Sequence, residues 1–273
     1  MTEQKNIVHR GKSAEEITGI PKITSTPEIT DALEITDTPE IAHTPEITDI
    51  PKITGILLAG GLSRRMGQNK ALMPVGKRIS IEQVLHALSP VCRNLLISAN
   101  DPGRYAFLGM SVIPDVYPGK GPLAGIHACL RASATSWSLV AACDMPLVTA
   151  DMAQDLVRLI LEESVGTVQA DVPDHEVIEQ GEEERIGRVQ AVIPVVEGRP
   201  QPLFALYHRS VMTSLEARLQ LDELRLMDWL QELAVTYVPV EHLQAGAWGQ
   251  GLFNMNRPQD YEEVIVKYRD NQP

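Results

Sequence analysis

The pattern of apolar and polar positions changes at about residue 53, where short apolar runs begin to alternate with amphipathic stretches. Runs rich in aliphatic residues predict buried strands, at residues 53–58, 94–98, 110–113, 137–142, 190–196, 201–207 and 236–239. Apolar residues at helical spacing predict amphipathic helices, at residues 80–88, 122–132, 150–163, 210–219, 224–233 and 258–269. Alternation of strands and helices is typical of a mostly parallel sheet covered on both faces. The predicted fold is therefore a three-layer α/β/α, Rossmann-like fold.

The region before residue 53 has a different pattern, because from Ile17 it repeats every six residues. The copies read ITGIPK, ITSTPE, ITDALE, ITDTPE, IAHTPE and ITDIPK, with proline usual at the fifth position. Proline at this density blocks helices and sheet ladders. A hexapeptide β-helix tolerates little regular proline, so the repeat favours a disordered, partly extended tail over residues 1–52. The folded domain is predicted to span residues 53–273.

Charge is distributed unevenly along this chain of 273 residues, whose formal net charge is −12. Residues 1–54 carry five Lys/Arg and ten Asp/Glu, and residues 171–188, a predicted acidic loop insert, carry two and seven. Residues 55–78 hold five Lys/Arg and no acid. The acidic balance argues against nucleic-acid binding. A cationic loop on an acidic protein favours a small anionic ligand, since a steering field can be local.

The sequence also bears on the compartment. No apolar run reaches the ~20 residues of a membrane helix, and the first residues lack the apolar region of a secretory signal. The three cysteines have neither metal-ligand nor disulfide spacing. These features predict a cytoplasmic protein with reduced thiols and no membrane partner.

The first predicted strand ends in a glycine turn followed by cations, in the sequence LAGGLSRRMGQNK. Glycines such as Gly60 and Gly61 let backbone N–H groups approach a ligand and can form an anion-binding concavity. Arg65 and Lys70 could neutralise phosphates. The turn contains neither GxxxxGK[ST] nor GxGxxG, so it matches neither of the usual nucleotide-binding loops.

Polar residues follow later predicted strands, where ligands of open α/β sheets bind. Asn100 follows the second strand, and Asp115, which could accept from a base edge or ribose hydroxyls or close a turn, follows the third. Asp144 ends the nearly all-apolar stretch WSLVAACD, and a lone acid there needs a cation or metal. Because Mg²⁺ takes one or two carboxylates plus substrate phosphates, Asp144 is predicted as a Mg²⁺ ligand. Asn254 and Asn256, two residues apart, could bind metal or phosphate.

Five stretches in this order, LAGGLSRRMGQNKAL, IPDVYPGKGPLAGI, CDMP, PLFALY and FNMNRPQD, resemble the molybdenum cofactor guanylyltransferase family over roughly residues 53–265. The resemblance implies the nucleotidyltransferase type of the predicted fold. It also implies site residues: a nucleotide-binding turn of Leu58, Ala59, Gly60 and Gly61, phosphate-binding cations Arg65 and Lys70, a guanosine-contacting Asp115, a metal and nucleotide ligand Asp144, and paired asparagines Asn254 and Asn256 near the metal and pterin side. Asn100 is predicted to contact GTP as well, and Gly121 and Pro122 are predicted to lie on the pterin or metal side.

The function implied by this resemblance is transfer of GMP from GTP to molybdenum-loaded molybdopterin, with release of pyrophosphate. Arg65, Lys70 and Asp144 would be the catalytic residues and Mg²⁺ the cofactor. Implied partners beyond the substrates are molybdenum-cofactor insertion proteins and molybdoenzymes.

The sequence departs from the family pattern at two places and leaves alternatives open. Arg257-Pro258 stands where the family usually has NTP after the second Asn, and residues 76–82 replace a GKPLIE-like stretch. A cytidylyltransferase for the same pterin usually has LAAG in the first turn, so LAGG favours guanine. Another small-molecule nucleotidyltransferase and a non-catalytic GTP-binding assembly partner are the remaining alternatives.

Overall fold

An eight-stranded mixed sheet forms the centre of the computed structural model, which describes residues 53–60, 67–163, 189–246 and 248–270. The predicted tail, residues 1–52, and the predicted acidic insert, residues 171–188, lie outside the described residues. The strands of the sheet are β1 (Ile53–Leu58), β4 (Asn94–Ser98), β5 (Ser111–Ile113), β6 (Trp137–Ala142), β7 (Ala191–Val196), β8 (Arg199–Pro200), β9 (Phe204–His208) and β10 (Val235–Pro239). The short strands β2 (Pro74–Val75) and β3 (Arg78–Ile79) form a separate hairpin.

The order across the sheet is β5-β4-β1-β6-β9-β7-β10, with β8 paired to β7. All neighbours along this path are parallel except the two pairs that include β9. The carboxyl ends of β5, β4, β1 and β6 therefore meet side by side at one edge, where the predicted site residues follow them. The mostly parallel α/β fold predicted from the sequence is confirmed.

Helices cover both faces of this sheet. They are α1 (Ser80–Leu88), α2 (Pro102–Tyr105), α3 (Gly121–Ala132), α4 (Ala150–Glu163), α5 (Met212–Leu221), α6 (Leu226–Leu230), α7 (Trp248–Gly251) and α8 (Pro258–Asp270). Alternate residues of β1 enter different cores: Leu57 packs with α1 and α4, and Ile56 packs with α3, α5 and α6. Burial of β1 on both faces explains why its sequence is mostly apolar. Among the described residues, no helix is long and apolar enough to cross a membrane.

A smaller third core attaches the last helix to the β2–β3 hairpin. It contains Val75 of β2, Met255 of the segment before α8, and Val264 of α8, and Tyr268 packs against it. The Tyr261 hydroxyl donates to the carbonyl oxygen of Pro74 at 2.7 Å. This core holds the segment around residue 256 beside the β2–β3 hairpin, which follows Lys70 by a few residues.

The long elements have the predicted bounds or differ from them by a few residues. The predicted strand 201–207 begins three residues before β9, because residues 201–203 lie in a turn after β8 in which the Phe204 N–H donates to the Gln201 carbonyl at 3.1 Å. The hairpin β2–β3 and the short helices α2 and α7 are absent from the sequence prediction, since elements of two to four residues carry no measurable periodicity.

Candidate active site

A cavity of about 750 Å³ lies beyond the carboxyl ends of β5, β4, β1 and β6. Its volume is in the range of about 300–1,000 Å³ that is usual for small-molecule sites. The lining residues come from the strand ends and the loops that follow them: Leu58, Ala59, Gly60, Asn69, Lys70, Ser98, Ala99, Asn100, Asp101, Arg104, Tyr105, Asp115, Gly119, Gly121, Pro122, Gly125, Ala142, Cys143, Asp144 and Leu203.

One end of the cavity carries a reciprocal hydrogen-bonded pair between the ends of β4 and β5. The Asn100 side-chain amide donates to Asp115 Oδ2 at 2.8 Å, and the Asp115 backbone N–H donates to Asn100 Oδ1 at 2.8 Å. Two bonds in opposite directions fix both side chains and the register of the two strand ends. The result is an oriented carboxylate that can accept N–H or O–H donors from a ligand.

The other end carries a lysine between a carboxylate and an amide. Lys70 Nζ lies 3.2 Å from Asp144 Oδ2 and donates to Asn256 Oδ1 at 2.7 Å. The Asp144 side chain is 22% exposed. Burial raises the pKa of Asp144, and the positive charge of Lys70 partly offsets this increase. A buried carboxylate beside a cation is a typical arrangement at functional sites.

A chain of hydrogen bonds holds Lys70 in place. Asn69 Oδ1 accepts from the Ala71 N–H at 3.0 Å and so caps the short 3₁₀ helix Lys70–Leu72. The Asn69 amide donates to the Tyr105 hydroxyl at 3.0 Å, which donates to the Ala59 carbonyl at 3.1 Å. The lysine is thereby connected to the end of β1 and to α2.

The backbone around Asp144 is fixed from three directions. The Cys143 N–H donates to the Leu58 carbonyl at 3.1 Å, which continues the pairing of β6 with β1. The Ser80 hydroxyl at the start of α1 donates to the Cys143 carbonyl at 2.5 Å. The Met255 N–H donates to the Asp144 carbonyl at 2.9 Å. Because these hydrogen bonds fix the backbone, the Asp144 carboxylate is preorganised for a ligand.

Asn256 reaches Lys70 because the start of α8 is capped beside it. Asp260 Oδ2 accepts from the backbone N–H groups of Asn256 and Arg257, each at 2.8 Å. Asn254 is half-buried, whereas Asn256 is exposed and contacts Lys70. The two asparagines predicted as a pair therefore lie in different surroundings.

The N-terminus of α3 forms one wall of the cavity through Gly121 and Pro122. The free N–H groups and positive dipole at such an end favour negative charge in a ligand. Gly125 allows this helix to approach the sheet closely, because a Cβ atom there would collide with Ser98 Oγ and lie 3.2 Å from Leu58 Cδ2.

Nine of the residues predicted from the sequence line this single cavity: Leu58, Ala59, Gly60, Lys70, Asn100, Asp115, Gly121, Pro122 and Asp144. Asn256 contacts Lys70 from outside the lining. The predicted residues Gly61 and Arg65 lie outside the described residues.

Sequence reasoning missed residues that position the predicted ones, among them Asn69, Ser98, Tyr105 and Gly125. Asn69 could have been found as an asparagine immediately before a short helical turn, since such residues cap helices. Tyr105 and Gly125 act through contacts with distant parts of the chain, which no local pattern reveals.

Comparison with known proteins places this geometry among nucleotide-handling enzymes. A family model described as a MobA-like NTP transferase domain matches residues 55–237. A protein from Pelotomaculum thermopropionicum named "probable molybdenum cofactor guanylyltransferase" is 36% identical over 212 residues, 77% of this chain and 91% of that protein. A "molybdenum cofactor guanylyltransferase" from Nitrobacter hamburgensis is 32% identical over 220 residues, again 77% of this chain and 91% of that protein.

Solved structures agree with the sequence relatives. The molybdopterin-guanine dinucleotide biosynthesis protein A from Archaeoglobus fulgidus superposes with a TM-score of 0.62 at 27% identity, covering 80% of this chain and 100% of that one. A 2-C-methyl-D-erythritol 4-phosphate cytidylyltransferase from Thermus thermophilus superposes with a TM-score of 0.52 at 16% identity, covering 78% of this chain and 98% of that one. The second likeness shows a shared fold.

Proposed function

The chain belongs to the MobA-like NTP transferase family, and we propose that it transfers GMP from GTP to molybdenum-loaded molybdopterin. The products are the guanine dinucleotide form of the cofactor and pyrophosphate. The relatives named as guanylyltransferases support GTP as the donor. Residues 53–273 form the proposed catalytic domain, with residues 1–52 as a tail outside it and residues 171–188 as an acidic insert.

The observation that carries this proposal is the arrangement of two different polar groups at opposite ends of one cavity. The Asn100–Asp115 pair lies at β4 and β5, and Lys70 with Asp144 lies at β1 and β6. An oriented carboxylate suits the N–H groups of guanine or the ribose hydroxyls. A cation beside a carboxylate that would hold a metal suits a triphosphate. The base would therefore lie toward Asp115 and the phosphates toward Asp144.

The transfer requires positioning and charge neutralisation rather than a general base. An oxygen of the terminal phosphate of molybdopterin, already ionised near neutral pH, forms a bond to the α-phosphorus. The bond from that phosphorus to the oxygen bridging to the β-phosphate breaks, and pyrophosphate leaves with the electron pair. Lys70 would neutralise phosphate oxygens, and the N-terminus of α3 would add positive potential.

The residues present fit a divalent metal that is held mainly by substrate. Among the described residues, no group of three or more His, Cys, Asp or Glu side chains could hold a metal. Mg²⁺ commonly uses one or two protein carboxylates and takes its other ligands from substrate phosphates and water. Asp144 would hold it here, and the metal would supply neutralisation of charge on the phosphates.

Several further predicted residues enter the proposal with roles taken from the sequence. Arg65 is proposed as a second phosphate-binding cation, Gly61 as part of the nucleotide-binding turn, and Asn254 with Asn256 as the pterin or metal side. Cofactor insertion proteins and molybdoenzymes are the proposed recipients of the product, and the cytoplasm is its proposed location.

The direct test is incubation of the purified protein with GTP, Mg²⁺ and molybdenum-loaded molybdopterin, followed by assay of pyrophosphate and the dinucleotide. We expect Asp144→Asn to lower kcat by about 10²–10³. Asp151→Asn, an exposed acid in the first turn of α4, is the control and should retain wild-type turnover. Wild-type rates in Asp144→Asn would refute the proposal.

Nucleotide choice is tested in the same assay by replacing GTP with CTP. We expect GTP to support the higher kcat/KM, since both relatives described above are named as guanylyltransferases. A preference for CTP would identify a cytidylyltransferase instead. Binding of GTP without any release of pyrophosphate would identify a non-catalytic nucleotide-binding protein.

A further inference from the structure

The loop between β5 and α3, residues 114–120, carries a lysine that does not line the cavity. Asp115, Gly119 and Gly121 of this region line it, whereas Lys120, between the two glycines, does not. A lysine in a loop beside a proposed triphosphate site would ordinarily be interpreted as a phosphate ligand. In the structure it contacts another part of the protein.

Lys120 caps the C-terminus of α5. Its Nζ donates to the carbonyl oxygen of Leu219 at 2.5 Å and lies 3.3 Å from Asp222 Oδ1. The last four carbonyls of a helix have no partner within the helix, and a lysine also complements the negative end of the dipole. Asp222 is 72% exposed on its side chain, so its ion pair contributes little. The hydrogen bond to Leu219 is the stronger contact.

Tyr117 attaches the same loop to the same helix one turn earlier. Its hydroxyl donates to Glu216 Oε1 at 3.0 Å. Glu216 and Leu219 are three residues apart, so both contacts fall on one face of α5. Lys120 Nζ also lies 5.9 Å from the centre of the Tyr117 ring. Tyr117 and Lys120 therefore contact each other and together attach the loop to α5.

Backbone conformation explains how Gly119 and Gly121 line the cavity while Lys120 between them contacts α5. Gly119 and Gly121 have φ values of 82° and 68°, a region that favours glycine. These two residues allow the backbone to turn its glycines toward the cavity while the Lys120 side chain is directed at α5.

We propose that α5 sets the affinity for the nucleotide through Tyr117 and Lys120, which act as positioning residues for the cavity wall that contains Asp115. This inference rests on the proposed function, because it assumes that GTP occupies the cavity. Loss of either contact loosens the wall that receives the base and ribose. Lys70 and Asp144 lie on other elements and keep their contacts, so binding weakens while chemistry on bound substrate continues.

The lysine is tested with Lys120→Met in steady-state assays of pyrophosphate release at varied GTP. Hydrogen bonds to charged groups are among the stronger ones, so we expect KM for GTP to rise about tenfold while kcat stays within about threefold. Lys120→Arg, which keeps the charge and donors, should recover most of the affinity. The matched control is Lys267→Met, since that lysine is similarly exposed and pairs with Glu263 within α8.

The tyrosine is tested with a double-mutant cycle across the loop and the helix. Tyr117→Phe removes only the hydroxyl, and Glu216→Ala removes its acceptor on α5, which lies outside the cavity lining. If the hydroxyl acts through α5, each single variant should raise KM by about the same factor and the double variant by no more. An effect of Tyr117→Phe without one of Glu216→Ala would mean direct contact with the nucleotide and would overturn the inference.

The outcomes separate this inference from the proposed function. A fall in kcat of about a hundredfold in Lys120→Met, with KM unchanged, would make Lys120 a phosphate ligand and refute the positioning role. Wild-type KM in Lys120→Met would refute it as well. If the wild-type protein binds GTP in calorimetry but releases no pyrophosphate, the proposed function fails and the Kd values of the same variants decide the inference. Absence of GTP binding to the wild-type protein would overturn both.

Discussion

Two largely buried carboxylates, Asp144 and Asp155, differ in what surrounds them. Asp144 contacts the Lys70 ammonium, and burial raises its pKa, so its charged form is disfavoured by the fold. Asp155 accepts from the Ala245 N–H at 2.7 Å and the Trp248 indole N–H at 3.3 Å. The first carboxylate adds little to stability, whereas the second satisfies donors that would otherwise be unpaired.

We therefore expect removal of the two side chains to change stability by different amounts. Asp155→Ala should lower the free energy of unfolding by about 2–4 kcal/mol, because two donors lose their acceptor. Asp144→Ala should change it by less than about 1 kcal/mol, since Lys70 keeps Asn256 as an acceptor. Urea unfolding followed by circular dichroism measures both. A large loss of stability in Asp144→Ala would mean that Asp144 is structural.

His127 of α3 is a buried titratable residue outside the proposed chemistry. Its side chain is fully buried, and neither ring nitrogen has a hydrogen-bond partner among the described residues. Its ring packs edge-on against Tyr117 with 5.3 Å between ring centres. Burial lowers the pKa of His127, so the folded protein holds it neutral.

This lowered pKa predicts how stability depends on pH. Below about pH 6.5 the unfolded histidine binds a proton that the folded His127 does not. The free energy of unfolding therefore decreases as the pH is lowered, until the pKa of the folded His127 is reached. His127→Leu should reduce that dependence and raise stability at pH 7 by about 1 kcal/mol, because two unpaired polar atoms are removed. The pKa of His208 is also lowered by burial, so some dependence should remain. Unfolding curves between pH 5 and 8 measure the slope; an unchanged slope would contradict the assignment to His127.

At the scale of elements, the contact of α3 with the sheet depends on Gly125. An alanine Cβ would collide with Ser98 Oγ, and it would lie 3.3 Å from Ser98 Cβ and 3.2 Å from Leu58 Cδ2. Overpacking of this kind costs about 1–3 kcal/mol, whereas replacing glycine by alanine within a helix gains about 1 kcal/mol. The net change in stability is therefore small, and displacement of the helix is the main effect.

We expect Gly125→Ala to weaken GTP binding about tenfold with little change in the melting temperature, because the N-terminus of α3 is part of the cavity. Calorimetric titration with GTP measures the Kd. Adding Ser98→Ala removes the nearest atom and should recover part of the affinity. If the double variant binds no better than Gly125→Ala alone, the collision with Ser98 is not the cause.

Elements also show why the sequence predicted some of the structure and not the rest. The strands at residues 53–58, 94–98 and 137–142 were predicted with their observed bounds, and in the first and third of them the mostly apolar sequence reflects burial on both faces. Asp144 could be predicted because it ends such a run. Its ion pair with Lys70 joins residues 74 positions apart, and a contact at that separation arises only from strand order. The same holds for the support of Lys120 by α5.

At the scale of the whole molecule, the candidate active site brings together residues from both ends of the described chain. Lys70 follows the first strand, and Asn256, its amide acceptor, comes shortly before the last helix. The third core contains Val75 and Met255, so it packs these two regions against each other. Removal of residues 258–273 would take away Asp260, which caps the start of α8, and three apolar members of that core, Tyr261, Val264 and Tyr268.

The two ends of the chain should therefore respond differently to truncation. Deletion of residues 1–50 should leave kcat/KM for GTP within about twofold, since the family match begins at residue 55. Deletion of residues 258–273 should lower kcat by about tenfold or more, because Asn256 loses the backbone cap that holds it at Lys70. Circular dichroism would show whether each protein remains folded, and Asp260→Ala in the full chain provides a milder version of the second deletion. A tenfold loss of activity on removal of residues 1–50 would mean that the repeat contributes directly to the site.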